Sequence, residues 1–483
     1  MRLSDGLGRT FLLAGTLLCG AAASVGQTQT TTSSSGAGQA TPGVQAANPF
    51  AGSVPAQPVP GVLPISLLDA IDRGLKQNLG LLLSNADTQS ARGQRWEQLS
   101  ALLPHVSAEP YVDVSKINLT ELGFLLHIPG VNIPSTVGPY SYFDARVSVS
   151  QSLFDWKSIS GARAASESVK SSEYSYKDAR DLVVLVVGVN YLQAIADEAR
   201  IETAEAQVKT AQALYNQASD QVTAGTSPAI DALRTKVELQ TRQQLLIQAR
   251  NDLAIQKLTV ARAIGLAPGQ QFELTDKSPY QPLEGISVEE ALKRAYSSRS
   301  DYQAAMAEER AAEFVRKAAV AGYFPSVSFN ADLGAGALHP STATQVFDVR
   351  GTLTIPIFTG GSVHGDILQA DARLKQSRER LENLRAQIDS DVRTALFNLE
   401  SSSELVAVAR SNIELAEQTL TQSRDRFTAG VADSVEVVQS QEALASAHEQ
   451  YITSLYNHDS AKISLARALG LAEEGVKEYF KGR

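Results

Sequence analysis

The residue types that carry catalysis and metal binding do not form a recognisable site in this sequence. The six histidines show no metal-ligand spacing, and even His448 and His458 lie ten residues apart, about three helical turns. The other four are His105, His127, His339 and His364. Phosphate-binding, nucleophile-elbow and dinucleotide-binding motifs are also missing. We therefore expect no enzyme activity, no metal and no cofactor.

Two acids instead stand at equivalent places, each just after a glycine turn. Asp231 lies six residues after Gly225, Glu436 lies six after Gly430, and Gln439 follows one helical turn later. The glycines fit the left-handed position that ends a helix. Such acids can simply favour a helix N-terminus through its partial positive charge. Arranged around an axis by three copies of the chain, they would form a cation-attracting ring that constricts a pore.

An internal repeat positions these acids. Landmarks recur in the same order at an offset of 221 residues early in each copy and of 204 to 205 residues later. They include Leu103-Pro104 with Phe324-Pro325, Phe143-Asp144 with Phe347-Asp348, and Thr223-Ala224-Gly225 with Thr428-Ala429-Gly430. Each copy therefore reads as helix, strand, loop, strand, long helix, turn and helix. We place the first copy at 62–271, a linker at 272–285, the second copy at 286–472 and a tail at 473–483.

Period-two alternation predicts two strands in each copy, at about 104–116 and 140–154 and at about 324–335 and 345–358. One face is apolar, and the other carries Asp144, Arg146, Asp332, Asp348 and Arg350. A soluble sheet on a core and a barrel with a polar lumen both fit this pattern. The barrel is favoured because no second sheet or globular segment is available to cover the apolar faces.

Four strands cannot close a barrel, and open strand edges in lipid would leave backbone groups unpaired. Several chains must therefore share it, and three would supply twelve strands. The long segments 161–222 and 363–428 contain no proline and predict helices of roughly 90–100 Å. Shorter helices are predicted at 66–101, 228–264, 287–321 and 434–469, paired end to end. The apolar run Leu182–Val189 is too short to span a membrane, so we expect it to pack on neighbouring helices.

The N-terminus has the features of a secretory signal over residues 1–26, with an apolar core from Phe11 to Leu18. Cys19 is the only cysteine, and Leu18 before it disfavours lipidation. Residues 27–61, rich in Ser, Thr and Pro, predict a flexible leader. The net charge of -9 argues against nucleic acid as a partner, and no run of apolar residues is long enough for a polytopic helical membrane protein.

Together these features resemble the TolC family of outer-membrane efflux proteins. The similarity covers about Ile65 to Leu471. Besides the repeat and the tip turns, it rests on the strand ends Gln151-Ser152-Leu153-Phe154 and Ile355-Pro356-Ile357-Phe358-Thr359-Gly360-Gly361, and on the copy endings Ala263-Ile264-Gly265-Leu266 and Ala468-Leu469-Gly470-Leu471. The resemblance implies a mainly α homotrimer. A shared 12-stranded β-barrel would lie in outer-membrane lipid, with a long α-helical coiled-coil barrel in the periplasm.

The resemblance also implies partners and site residues. A periplasmic adaptor, joined to an inner-membrane transporter, would meet the tip turns, which here comprise Gly225, Thr226, Ser227, Gly430, Val431 and Ala432. By position, Asp231 and Glu436 match family acids that help to hold the tunnel shut. Gln439 stands where the best-studied type has a second pore acid, and Ala432 where it has a basic residue. These departures leave open how this chain would lock a closed state.

The expected function is therefore a passive exit duct of a tripartite efflux or secretion system. Two rivals remain at this level. One is a secreted or surface structural coiled-coil protein without a pore, although the alternating strands count against it. The other is a periplasmic adaptor, which would usually have one helical hairpin beside a small β domain, whereas this chain has two complete copies. The sequence does not indicate the exported solute.

Overall fold

The computed structural model describes residues 48–121, 123, 134–277, 280–283 and 286–480. The predicted signal and residues 27–47, with Cys19, lie outside them. The elements, apart from short 3-10 turns, are β1 (Leu63–Ile65), α1 (Leu67–Gln77), α2 (Leu79–Ser100), β2 (His105–Asn118), β3 (Thr136–Phe154), α3 (Trp156–Thr223), α4 (Ala229–Ile264), β4 (Phe272–Leu274), α5 (Val288–Ser298), α6 (Ser300–Val320), β5 (Ser326–Ala337), β6 (Thr344–Thr354), α7 (Ser362–Thr428), α8 (Ser434–Ala468) and α9 (Ala472–Tyr479).

The four predicted strands are present and form one antiparallel sheet in the order β2-β3-β5-β6. The sheet joins the two copies, because β3 of the first copy pairs with β5 of the second. The prediction for the last strand is too long, since β6 ends at Thr354 and not near 358. Pro356 follows, and proline has no backbone N–H to donate to a ladder.

The long helices agree with the sequence prediction to within five residues at each end. The prediction of one continuous helix at 66–101 and another at 287–321 is wrong, because one extended residue interrupts each segment. Asn78 separates α1 from α2, and Arg299 separates α5 from α6. These two residues correspond in the repeat, at the same offset of 221 residues. The Asn78 side chain caps α2 by accepting from Gly80 N at 3.0 Å and donates to Phe50 O at 2.7 Å.

The main apolar core surrounds the middle of α3. Val183, Val184, Val187 and Tyr191 are fully buried there, and the Tyr191 hydroxyl donates to Ile65 O at 2.8 Å. Among the described residues, α3 is the one helix whose length and hydropathy would allow it to cross a membrane. More than half of its most apolar stretch is nevertheless buried inside the protein. The prediction that Leu182–Val189 packs on neighbouring helices is confirmed.

The segments outside the two predicted copies are more ordered than expected. The flexible-leader prediction is wrong for residues 48–61. Within them, Val54 N donates to Gln77 O at 2.8 Å and Ala56 N donates to Gly265 O at 2.9 Å. The linker contributes β4, which pairs in parallel with β1. The C-terminal tail forms most of α9, whose Val476 is fully buried in the main core.

Candidate functional site

The two tip turns lie at the far end of the paired long helices. In each, the glycine ends the helix with a positive φ, 75° at Gly225 and 72° at Gly430. Asp433 caps α8 by accepting from Val435 N and Glu436 N. The turn residues Gly225, Thr226, Gly430 and Val431 are exposed, whereas Ser227 and Ala432 are half-buried. Each turn joins two helices into a hairpin, α3 with α4 in the first copy and α7 with α8 in the second. The geometry therefore presents a small, mostly exposed surface at the end of each hairpin.

Asp231 connects the two hairpins within one chain. Its carboxylate accepts a hydrogen bond of 2.6 Å from the Ser434 hydroxyl of the other hairpin, and both residues are buried. The Arg234 guanidinium lies 3.8 Å from the same carboxylate oxygen. A hydrogen bond to a charged acceptor in a buried setting is among the stronger ones. The two hairpins are thus fastened to each other at this point.

Glu436 occupies the corresponding place in the second hairpin but has a different environment. It pairs with Arg426 of the preceding helix at 3.2 Å, and both side chains are substantially exposed. Gln439, one turn later, is exposed. The structure therefore places all three predicted constriction residues at the tips. It joins only Asp231 to the other hairpin.

Four residues of this tip region were missed at the sequence level. Ser434 and Arg426 supply the partners of the two acids, and Ser423 bonds Ser440 between α7 and α8 at 2.8 Å. A signal for Ser434 did exist. Its counterpart in the first copy is Ala229, which has no hydroxyl, so the two hairpins could not use their acids in the same way.

The polar face of the sheet carries the predicted charged residues in contact with one another. The Arg146 guanidinium binds Asp144 at 2.8 Å and reaches Asp332 on the neighbouring strand at 3.2 Å. Asp348 lies directly opposite Asp332 in the β5–β6 register and pairs with Arg350 at 2.8 Å. All five predicted residues therefore lie on one face, as the alternation predicted.

The opposite face of the sheet is apolar and exposed. Val114, Phe347, Val349 and Leu353 each leave more than half of their surface uncovered. An apolar patch of this kind marks contact with lipid or with another protein. Strands β2 and β6 are the two edges of the sheet, and neither has a further partner within the described residues.

Comparison with known proteins agrees with this arrangement. Residues 70–266 and 291–471 match the family described as outer membrane efflux protein. The pyoverdine export outer membrane protein OpmQ of Pseudomonas aeruginosa is 24% identical over 76% of this chain and 77% of its own length. The alkaline protease secretion protein AprF of the same organism is 23% identical over 70% of this chain and 72% of its own length.

A solved structure shows the same fold. The outer membrane protein VceC of Vibrio cholerae superposes with a TM-score of 0.73 at 18% identity, over 84% of this chain and 96% of that one. The predicted fold class is thereby confirmed. The family match and the named relatives confirm the predicted location in the outer membrane. The rival interpretation as a structural coiled-coil protein without a pore is not supported. This chain belongs to the outer membrane efflux protein family.

Proposed function

We propose that three copies of this chain form the exit duct of a tripartite system, which takes solutes from a periplasmic adaptor and an inner-membrane transporter. The observation that carries this proposal is the open four-stranded sheet with an exposed apolar face and two unpaired edges. In lipid each unpaired backbone group costs several kcal/mol. Three sheets joined edge to edge would pair all of them in a 12-stranded barrel.

In this assembly the polar face of each sheet lines the lumen. The ion pairs around Arg146 and Arg350 would then line the wall of a water-filled passage, where their charges remain hydrated. The apolar residues of the other face would contact outer-membrane lipid. No energy source is required of the chain itself, because a partner would drive transport and the duct would conduct passively.

The tips would serve as the adaptor-facing end and as the gate. The proposed constriction comprises Asp231, Glu436 and Gln439, and the proposed docking surface comprises the two exposed turns. The bond between Asp231 and Ser434 supports a closed state in which the two hairpins are held together. Opening would separate them and break this bond. A clamp of this kind does not need a basic residue at the position of Ala432.

Single-channel recording in a planar bilayer tests the proposal. We expect the wild-type protein to conduct weakly, and Asp231→Ala combined with Glu436→Ala to raise the conductance or the open time. Asp425→Ala is the matched control, because it removes an exposed acid near the second tip that belongs to neither pair. Equal conductance in the double variant and the wild type would refute the gate but leave the duct intact. Absence of any conductance would refute the duct.

The exported solute is not part of the proposal. OpmQ and AprF are named for different cargoes, a pyoverdine and an alkaline protease, although they match this chain about equally well. Similarity at this level therefore does not select a cargo.

Cross-linking from a photoreactive residue at Val431, which is exposed in the second turn, would capture the adaptor directly.

A further inference from the structure

The two edge strands of the sheet, β2 and β6, are suited to pair with each other between copies of the chain. Neighbouring strands of the sheet are all antiparallel, so β6 runs opposite to β2. A second copy can therefore present its β2 to β6 as the next antiparallel strand. We call this junction the seam. Its register, meaning which residues face each other across it, determines how the copies fit together.

The two faces of the sheet limit the registers that the seam can adopt. Glu109 of β2 lies opposite Arg146, and Asp348 of β6 lies opposite Asp332, so both edges carry charges on the polar face. A slip by one residue would turn the polar face of one copy toward the apolar face of the other. The allowed registers therefore differ from one another in steps of two residues.

The ends of the two strands favour one of these registers. β6 consists of eleven residues that end at Thr354, and Pro356 follows shortly after. β2 begins at His105, directly after a proline, and its pairing with β3 shifts after Ser115. Placing Thr354 opposite His105 aligns the two ends that are next to prolines. The other end of β6, Thr344, then falls opposite Ser115, so all of β6 faces the regular part of β2.

Charge favours the same register, because it places Arg350 opposite Glu109. The Arg350 guanidinium donates to Asp348 at 2.8 Å, and its side chain is still 70% exposed. Glu109 is exposed and makes no ion pair with any residue that the structure describes. Opposite charges that face each other across two strands stabilise the pairing. The seam would thus give Glu109 a cationic partner from the next copy.

The registers shifted by two residues bring like charges together instead. A shift in one direction places Asp348 opposite Glu109, and a shift in the other places it opposite Asp113. Asp348 already faces Asp332 on its other side. Either shift would therefore align three carboxylates in one row across the seam, and like charges directly opposite each other destabilise a sheet.

We propose that Arg350 of one copy pairs with Glu109 of the next copy and fixes the seam with Thr354 opposite His105. This inference rests on the proposed three-copy barrel and names the contact that joins its copies. Glu109 would then lie between Arg350 of the neighbour and Arg146 of its own chain. Because strand stagger and barrel size are linked, this register also helps to set the width of the lumen.

Cysteine cross-linking of the full-length protein in outer membranes tests the register. The only native cysteine, Cys19, lies in the predicted signal. In the proposed register Ser107 faces Thr352, so oxidation of the variant with Ser107→Cys and Thr352→Cys should give covalent trimers on a non-reducing gel. Ser107→Cys combined with Thr354→Cys or with Arg350→Cys reports the two shifted registers. Their yield should be about fivefold lower, because diagonal neighbours are too far apart for an undistorted disulfide.

A matched control shows that the cysteine at position 107 can oxidise. Ser107 and Ser148 face each other in the β2–β3 register, so Ser107→Cys with Ser148→Cys should form a bridge within one chain. Two strands separate Ser107 from Thr352 in the same chain, roughly 14 Å, so a bridge between those two must join different copies.

The outcomes separate the register from the barrel. Trimers formed mainly by the Thr354→Cys or the Arg350→Cys pair would overturn the register and leave the three-copy barrel standing. If none of the three pairs joined chains while the Ser148→Cys control oxidised, both the register and the edge-to-edge barrel would be wrong.

Charge exchange tests the ion pair itself. Arg350→Glu should lower the temperature at which the trimer dissociates on a gel, because two carboxylates then face each other at the seam. Adding Glu109→Arg should recover part of the loss, since Asp348 still lies beside the new carboxylate. Adding Asp113→Arg instead is the matched control and should recover less. Equal recovery by the two second changes would overturn the pairing of Arg350 with Glu109.

Discussion

The two copies of the repeat have the same elements but differ in how their long helices are covered. At equivalent positions, Val183 and Val187 of α3 and Ile388 and Val392 of α7 are all fully buried. The residues beside them diverge, because Val184 is fully buried whereas its counterpart Asp389 is half-buried. The buried face that contains Val183 and Val187 is thus common to both long helices, whereas burial at Val184 is specific to α3.

The contacts explain the difference. The first long helix packs against α1, α2, α4, α6, α8 and α9, whereas α7 packs mainly against α5, α6 and α8. The β1–β4 pair and the C-terminal helix also lie on the first copy's side of the core. The two copies therefore have similar long helices, and the elements packed around α3 make it the central one.

The largest effect is expected from giving α3 the residue that α7 carries. Val184→Asp places a carboxylate without a partner in the main core, so it should lower the free energy of unfolding by more than about 3 kcal/mol. The reciprocal change, Asp389→Val, should alter it by less than about 1 kcal/mol, because the site is partly solvated. Denaturant unfolding followed by circular dichroism measures both.

If Val184→Asp does not accumulate, Val184→Thr keeps the shape and adds only a hydroxyl, and we expect a smaller loss in the same direction. Equal losses for Val184→Asp and Asp389→Val would contradict the assignment of α3 as the central helix. So would a stable Val184→Asp protein.

Much of this framework could be predicted from sequence, because alternation and proline-free runs mark strands and long helices locally. The breaks at Asn78 and Arg299 could not be predicted in this way. Nothing in the nearby sequence forbids a continuous helix at either point. Arg299 pairs with Asp301, two residues away, and also with Asp391, which is 92 residues away, so the second of these contacts is tertiary. The tip acids could not be distinguished from sequence either. Asp231 and Glu436 have the same spacing from their glycines, but Asp231 is buried and Glu436 is substantially exposed.

A second difference between the copies is ionisable. Burial raises the pKa of Asp181 to about 6, against the opposing attraction of Arg467, while the counterpart Ala386 has no charge. A carboxyl group whose pKa is higher in the folded state favours folding below its unfolded pKa and progressively opposes it as pH rises through 6. Asp181→Asn should therefore stabilise the protein by about 2 kcal/mol more at pH 7.5 than at pH 4.

Unfolding midpoints of wild type and Asp181→Asn across this pH range give that difference. A pH-independent gain from Asp181→Asn would show that the effect comes from packing and not from ionisation.

The tips provide a third contrast. Ser434→Ala leaves the buried Asp231 carboxylate without its 2.6 Å partner and should destabilise the closed tips by about 1–2 kcal/mol. Arg426→Ala breaks a largely exposed pair and should change them by less than about 1 kcal/mol. Amide hydrogen exchange in residues 221–232 reports the difference, with exchange about tenfold faster in Ser434→Ala. Similar exchange in both variants would mean that Asp231 does not fasten the hairpins.

The smallest effect is expected from replacing two glycines by alanine, where the two changes in the unfolding midpoint should have opposite signs. A Cβ at Gly188 of α3 would lie 2.7 Å from Ile463 Cδ1, whereas a Cβ at Gly365 of α7 would have no neighbour within 4 Å. Alanine gains up to about 1 kcal/mol of helix propensity at either site, but at Gly188 overpacking costs about 1–3 kcal/mol. Gly365→Ala should therefore raise the unfolding midpoint slightly and Gly188→Ala should lower it. Adding Ile463→Val removes the obstructing methyl group, so the double variant should be less destabilised than the two single changes combined. If the effects of the two changes were simply additive, Ile463 Cδ1 would not be the atom that obstructs a side chain at Gly188.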